Sequence, residues 1–347
     1  MDSSSSLCDR YTLRDENVSI MRFYYKMRSI FWQPEEINFE PDREDYAAAS
    51  PNHKRIYRMF LEFFAPGDGA ITEQAMSFSS SAKRTDERAF LLAQLLNEQD
   101  HMITYTRAVK EVLPPDEQND IFTAADDLPC VKAKVQWINK WIEADAPRAV
   151  KYMAGAFAEG TFFVALFALV FYFRRKNIFR NFITANQFIL RDETLHRDFN
   201  IFMSRYIPVL YKDEEGCDSE TALKIAREAY DIEIAHMNHI LAVPVDSVEA
   251  DEALGLTKPN ITRYIQTLVN QILVLAGHPT LFEDERVDLP WMAEIGLMSK
   301  KNFYEDLVVE YSGLSVSDTI DRMKNTGDGA ETADVSNPLE NPDDVDF

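Results

Sequence analysis

A chain of 347 residues, 46% of them hydrophobic, can bury a substantial core and is near the upper size of a single domain. Its net charge of −22 argues against unaided binding to nucleic acid or to an anionic membrane, both of which reward lysine and arginine. Three cysteines, Cys8, Cys130 and Cys217, stand far apart without Cys-x-x-Cys spacing, which speaks against a disulfide framework or a thiolate metal site and for a reducing, intracellular compartment.

Only 11 glycines punctuate the chain and strand-like alternation is scarce, so the expected class is all-α. The opening MDSSSSLCDR carries neither the basic nor the apolar region of a signal peptide, and residues 1–16 read as a disordered N-terminus. A first helix is expected over 17–32, ending at FWQPEE, and a second over 52–64. Others follow over 83–113, 126–145, 147–173, 177–207, 218–242 and 259–276, with breakers at Pro34, Pro114, Pro115, Pro208, Pro244 and Pro259.

Residues 153–173, MAGAFAEGTFFVALFALVFYF followed by Arg174, Arg175 and Lys176, imitate a membrane span. Glu159 interrupts it, and the apolar run left between Thr161 and Phe173 is short of the roughly 20 residues a bilayer crossing needs. As a core helix wrapped in protein, the segment makes Glu159 a buried carboxylate that needs a cation, a proton or a partner.

NEQDHMITY, residues 97–105, sits between apolar FLLAQLL and TRAV and puts Glu98, His101 and Tyr105 on one helix face. A lone Glu-x-x-His is usually a solvated stripe, but here Glu193 and His196 in RDETLHRDF answer it. Two helices each offering Glu-x-x-His, plus one acid from each of two more, make the ligand set of a dinuclear metal site inside a four-helix bundle, as in ferritin-like carboxylate proteins. Carboxylates with imidazoles suit iron or manganese, and the lack of thiolates disfavours zinc and iron–sulfur clusters. Glu159 supplies one of the single acids. For the other the candidate is Asp68 in FFAPGDGAITE, which turn chemistry alone reads as a turn aspartate between Gly67 and Gly69. A third pair, Glu233 and His236 in YDIEIAHMNHI, is set aside because nothing around it looks metal-binding.

The motifs FWQPEE, FFAPGDG, NEQDHMITY, FAEGTFFVALF, RDETLHRDF, NFYEDLVVEY and the final DDVDF, in this order, resemble those of the small, radical-generating subunit of class I ribonucleotide reductase. The resemblance spans about residues 17–312 and the last few, and the glycine after Asp68 and the Asp-x-Asp-Phe end look like the eukaryotic and viral branch. It implies a ferritin-like four-helix bundle core with additional helices over 17–312 and two iron ions per subunit, with manganese the alternative metal. Asp68, Glu98 and His101 would hold one ion and Glu159, Glu193 and His196 the other, with Glu98 and Glu193 bridging. Tyr105 would carry the stable radical, formed when the reduced centre reacts with O2. Asp192 would tie His101 to Trp32, and Tyr311 would be the next stop of a radical route to the surface. Phe163 and Phe167, on the helical face of Glu159, and Ile189, one turn before Glu193, are expected to wall Tyr105 off from water.

After Tyr311 the composition changes. Residues 318–347 hold nine acidic and two basic residues and few apolar ones, too little to offset the entropy of folding. Residues 313–347 therefore read as a flexible acidic tail, longer than usual for the family and unmatched in its middle, whose last residues Val345, Asp346 and Phe347 the resemblance would dock on the large catalytic subunit. The expected protein is the small subunit of ribonucleoside-diphosphate reductase: a cytoplasmic homodimer that passes its radical to the large subunit and has no nucleic-acid or membrane partner. A di-metal oxidase or oxygenase, and an iron-storing or purely structural bundle, are the other classes that fit; Tyr105, Trp32, Tyr311 and the terminal residues favour the first.

Overall fold

The computed structural model describes residues 11–13, 17–241 and 258–283. Of the expectations above, most of the N-terminal segment 1–16, Pro244, Tyr311 and the tail 313–347 lie outside them. Among the described residues every regular element is helical.

Helix α1, Val18–Ser29, starts where the Asn17 side chain accepts hydrogen bonds from the backbone N–H groups of Ser19 and Ile20, and it buries Ile20, Phe23 and Met27 at helical spacing. Helix α2, Glu40–Ala48, was not expected from its acidic sequence, and its Asp42 is spent on another element: the carboxylate accepts from the N–H groups of Asn181 (3.1 Å) and Phe182 (2.6 Å) and so caps a later helix. Helix α3, Pro51–Ser81, overruns the expected end at residue 64 and passes straight through Pro66, Gly67, Asp68 and Gly69. An interior proline costs about 3 kcal/mol. Burying each of the fully covered rings of Phe60, Phe63 and Phe64 returns about 1.5–3 kcal/mol, so packing overrides the breaker and Asp68 becomes a helical residue rather than a turn residue.

Helix α4, Thr85–Val112, returns along α3. The expected single helix over 126–145 is preceded by another, so that α5, Pro115–Asp127, and α6, Pro129–Glu143, each open on a proline at a position where no N–H is needed. Helix α7, Arg148–Val170, is long and apolar enough to cross a membrane, and its apolar window is wholly buried in the protein. Over Ala158–Phe163 it widens into a π-helical turn that contains Glu159. After the short α8, Tyr172–Lys176, the expected helix start at 177 is delayed, because Asn177 and Phe179 are left-handed, with φ of 56° and 55°. The Phe179 N–H donates to Asp45 Oδ2 at 2.8 Å and its buried ring packs 4.6 Å from that of Tyr57, which holds this costly conformation. Helix α9, Arg180–Leu210, then runs back along α7, and α10, Ser219–Leu241, and α11, Lys258–Ala276, cover that pair. Helices α3, α4, α7 and α9 form a four-helix bundle, with α4 touching α9.

Candidate metal centre

Each long helix of the bundle sends charged side chains to its middle. Helix α3 brings Asp68, α4 brings Glu98 and His101, the π-helical turn brings Glu159, and α9 brings Glu193 and His196; all are fully buried. Their donor atoms form two overlapping groups, Asp68–Glu98–His101–Glu193 and Glu98–Glu159–Glu193–His196, each spanning no more than 4.8 Å. Glu98 and Glu193 belong to both, so each can reach two ions. His101 Nδ1 lies 3.2 Å from Glu193 Oε1 and 3.5 Å from Glu98 Oε2; His196 Nδ1 lies 2.8 Å from Glu98 Oε1 and 3.5 Å from Glu159 Oε2.

The outer ring nitrogens fix both imidazoles. His101 Nε2 is 3.2 Å from Asp192 Oδ2, and His196 Nε2 is 3.1 Å from Asn97 Oδ1. Both partners are oxygen acceptors, so the network places a ring proton on Nε2 and turns Nδ1 inward, where it can ligate a cation once it carries no proton of its own. Asp192 Oδ2 also accepts from Trp32 Nε1 at 2.7 Å and from Asn97 Nδ2 at 3.1 Å, and the buried Trp32 ring stacks on His101 with centroids 6.2 Å apart.

Both oxygens of Asp68 and of Glu193, one each of Glu98 and Glu159, and Nδ1 of both histidines are buried without a hydrogen-bond partner. Buried acceptors left without donors are costly, and here they converge on one place. Cations there would satisfy all of them, and carboxylate oxygens with imidazoles are a donor set for iron or manganese. The charges agree: burial holds the carboxyls of Asp68, Glu159 and Glu193 well above the usual range. Burial would raise Glu98 too, but the His196 and His101 imidazoles push it down to about 2. For His101 burial works downward, and the carboxylates of Asp192, Glu193 and Glu98 outweigh it and raise it well above its ordinary value. Crowded acids that cannot all ionise without added positive charge behave in this way.

Tyr105 lies one helical turn beyond His101 and is fully buried, which pushes its phenol well above the ordinary value and keeps it neutral. Its O–H donates to Asn186 Oδ1 at 2.9 Å, and the Asn186 amide N–H donates in turn to the Phe182 carbonyl at 2.7 Å. Because that carbonyl only accepts, the Asn186 oxygen faces the phenol. Phe64 stacks on Tyr105 at 4.9 Å and on Phe167 at 5.2 Å, and Phe163 and Ile189 are fully buried with them.

Asn97, Gln94 and Asn186 are the residues that sequence reasoning missed. Gln94 Nε2 donates to Glu159 Oε1 at 2.9 Å and stands one turn before Glu98; Asn186 shares a face with Glu193 two turns on. Following the metal-facing stripes backward along each helix would have found them. The pair Glu233 and His236 belongs to neither donor group; Glu233 instead meets Lys134. Tyr311, Val345, Asp346 and Phe347 lie outside the described residues.

Residues 12–289 match the family model "Ribonucleotide reductase, small chain". The chain is 28% identical over 306 residues to a ribonucleoside-diphosphate reductase small subunit of Plasmodium falciparum, covering 87% of this chain and 91% of that one. It is 29% identical over 299 residues to the small chain of Vaccinia virus strain Copenhagen, covering 86% and 89%. Among solved structures, the ribonucleotide reductase Rnr4 homodimer of Saccharomyces cerevisiae superposes with a TM-score of 0.70 at 22% identity, covering 89% of this chain and 91% of that one. An R2-like ligand-binding oxidase carrying a Mn/Fe cofactor superposes with a TM-score of 0.62 at 17% identity, covering 78% and 97%. These two structures share the fold.

Proposed function

The chain belongs to the ribonucleotide reductase small-chain family, whose members generate the radical for ribonucleotide reduction, and we propose that it does so with two metal ions and Tyr105. Asp68, Glu98 and His101 would hold one ion and Glu159, Glu193 and His196 the other, with Glu98 and Glu193 shared. When bound and reduced, such a pair, iron first and manganese as the alternative, supplies with O2 a one-electron oxidant strong enough to oxidise a phenol. The protein's own part is positional. Asp192 and Asn97 keep both histidines in the ligating tautomer, and Gln94 orients Glu159. Burial keeps the Tyr105 phenol neutral with its proton aimed at Asn186 Oδ1, while Phe64, Phe163 and Phe167 exclude the water and reductants that would quench a radical. The hydrogen bond from Trp32 to Asp192, and from there to His101, supports the inner end of a transfer route that would continue through Tyr311 to the large subunit.

A second copy of the chain is the partner that the outer face of α4 supports. Leu92, Leu96 and Ile103 share that face and are 54%, 53% and 37% exposed, an apolar stripe that a homodimer would cover. The observation that carries the functional reading is the junction of two paired Glu-x-x-His helices with a buried tyrosine one turn away. An oxidase with the same bundle would need neither Trp32 nor the terminal Val345, Asp346 and Phe347 as a handhold. Turnover of a ribonucleoside diphosphate should appear only when the metal-loaded chain is mixed with a large subunit, and should collapse when the last seven residues are removed while metal content stays intact. Oxidation of small substrates by the chain alone, or full turnover by the truncated chain, would favour the oxidase.

A further inference from the structure

Behind the π-helical turn lies a charged pair that the metal site does not use. Lys134 of α6 and Glu233 of α10 are both fully buried, with the ammonium Nζ 2.5 Å from Glu233 Oε2. Nζ also donates to the Phe162 carbonyl at 3.3 Å and sits over the rings of Phe63 and Phe162, 4.1 and 5.1 Å from their centroids. His236, one turn from Glu233, stands edge-on to Phe63 at 5.7 Å and closes the same box. An ion pair this dry is often no more stabilising than well-packed apolar side chains of the same volume, so stability alone does not explain it.

Its contacts point elsewhere. Phe162 lies in the π-helical turn Ala158–Phe163, just after Glu159. Phe63 lies on α3 just before Asp68, and its ring packs 5.1 Å from that of Phe163. Lys134 therefore touches the two segments that present the lone acids of the site. A π-helical turn can relax toward ordinary α-helix by shifting register, and such a shift would swing the Glu159 carboxylate away from His196. We propose that Lys134, anchored by Glu233, is a positioning residue for Glu159: its ammonium pins the Phe162 carbonyl and with it the turn that aims the carboxylate at the second ion. This inference rests on the metal-site reading above. It also gives the third Glu-x-x-His pair a role, since its glutamate is the counter-ion of the pin.

The test is an anaerobic titration of the full-length apo-chain with Mn(II), with free ion counted by electron paramagnetic resonance. Wild-type uptake of two ions tests the site itself; uptake of none would sink that reading whatever the variants do. The double variant K134M/E233Q removes both charges together, and E233D keeps the charge but withdraws the carboxylate by one methylene. In each, one ion should bind as in the wild type and the other about 10–100-fold more weakly, and K134M/E233Q, which leaves no buried charge unpaired, should change the apo-protein's thermal midpoint little. Wild-type affinity at both sites would overturn the proposal. Equal weakening at both, with a lowered midpoint, would also overturn it by reducing the pair to general packing. Should the double variant not fold, E233D decides on the same criteria.

Discussion

His196 reaches toward Glu98 and Glu159 with one ring nitrogen and is held from behind by Asn97 through the other. His196→Ala should therefore strip bound metal, whereas His236→Ala, which removes a ring from an aromatic box, should leave metal content unchanged; elemental analysis of the two purified variants reads this directly. Metal loss from the second variant alone would place the centre at Glu233 and His236 instead. The candidate Glu-x-x-His pairs were legible because helical spacing puts Glu and His of each pair on one face, and Glu159 because a lone acid in an apolar run demands a partner. Asn97, Gln94 and Asn186 lie on the same helical stripes as the candidate ligands, but a side-chain amide there reads as an ordinary polar residue until the facing helix shows what it holds.

At the scale of elements, the π-helical turn is also fixed by the absence of a side chain. A Cβ at Gly160 would lie 2.5 Å from Arg197 Cδ and 2.8 Å from Ile272 Cδ1. Arg197 cannot easily yield, because its guanidinium holds Asp198 through Nε at 2.9 Å and Nη2 at 2.6 Å. Gly160→Ala should thus destabilise the protein by about 1–3 kcal/mol of overpacking, although alanine is the better helix former. A thermal midpoint equal to or above that of the wild type would contradict this packing. Local sequence signals misplaced helix ends where tertiary contacts overruled them: Pro66 does not stop α3 because the buried aromatic rings around it outweigh its cost. Helix α2 was invisible because its polar residues serve other elements, as Asp42 does for α9.

For the whole molecule, net charge and the site act in the same sense. The chain carries −22, and Asp68, Glu159 and Glu193 are held above their ordinary range by burial. In the apo-protein the folded state keeps protons on these acids that the unfolded chain has already released, so stability should fall as pH rises from about 5 to 8. Glu98, lowered to about 2, works in the opposite sense but only in the acid range below its ordinary value. Metal ions bound there would supply the missing positive charge, so the metal-loaded protein should lose less stability over the same interval; thermal midpoints of both forms across that range test the sign. A flat apo profile would mean that the acids do not carry their protons. The all-helical class and the two Glu-x-x-His pairs could be read from periodicity, Glu159 from its apolar surroundings and Asp68 chiefly from the family resemblance, because the proline and glycines around it read as a turn; the orientation of each side chain, set by contacts between distant segments, could not be read. The claim at the centre, that this fold holds a metal pair in order to oxidise Tyr105, is tested most directly by low-temperature electron paramagnetic resonance of the full-length chain after anaerobic loading with Fe(II) and exposure to O2, with Tyr105→Phe alongside. A phenoxyl signal in the wild type, absent from the variant at equal iron content, is expected; an iron-loaded wild type without an organic radical, or an unchanged signal in Tyr105→Phe, would contradict it.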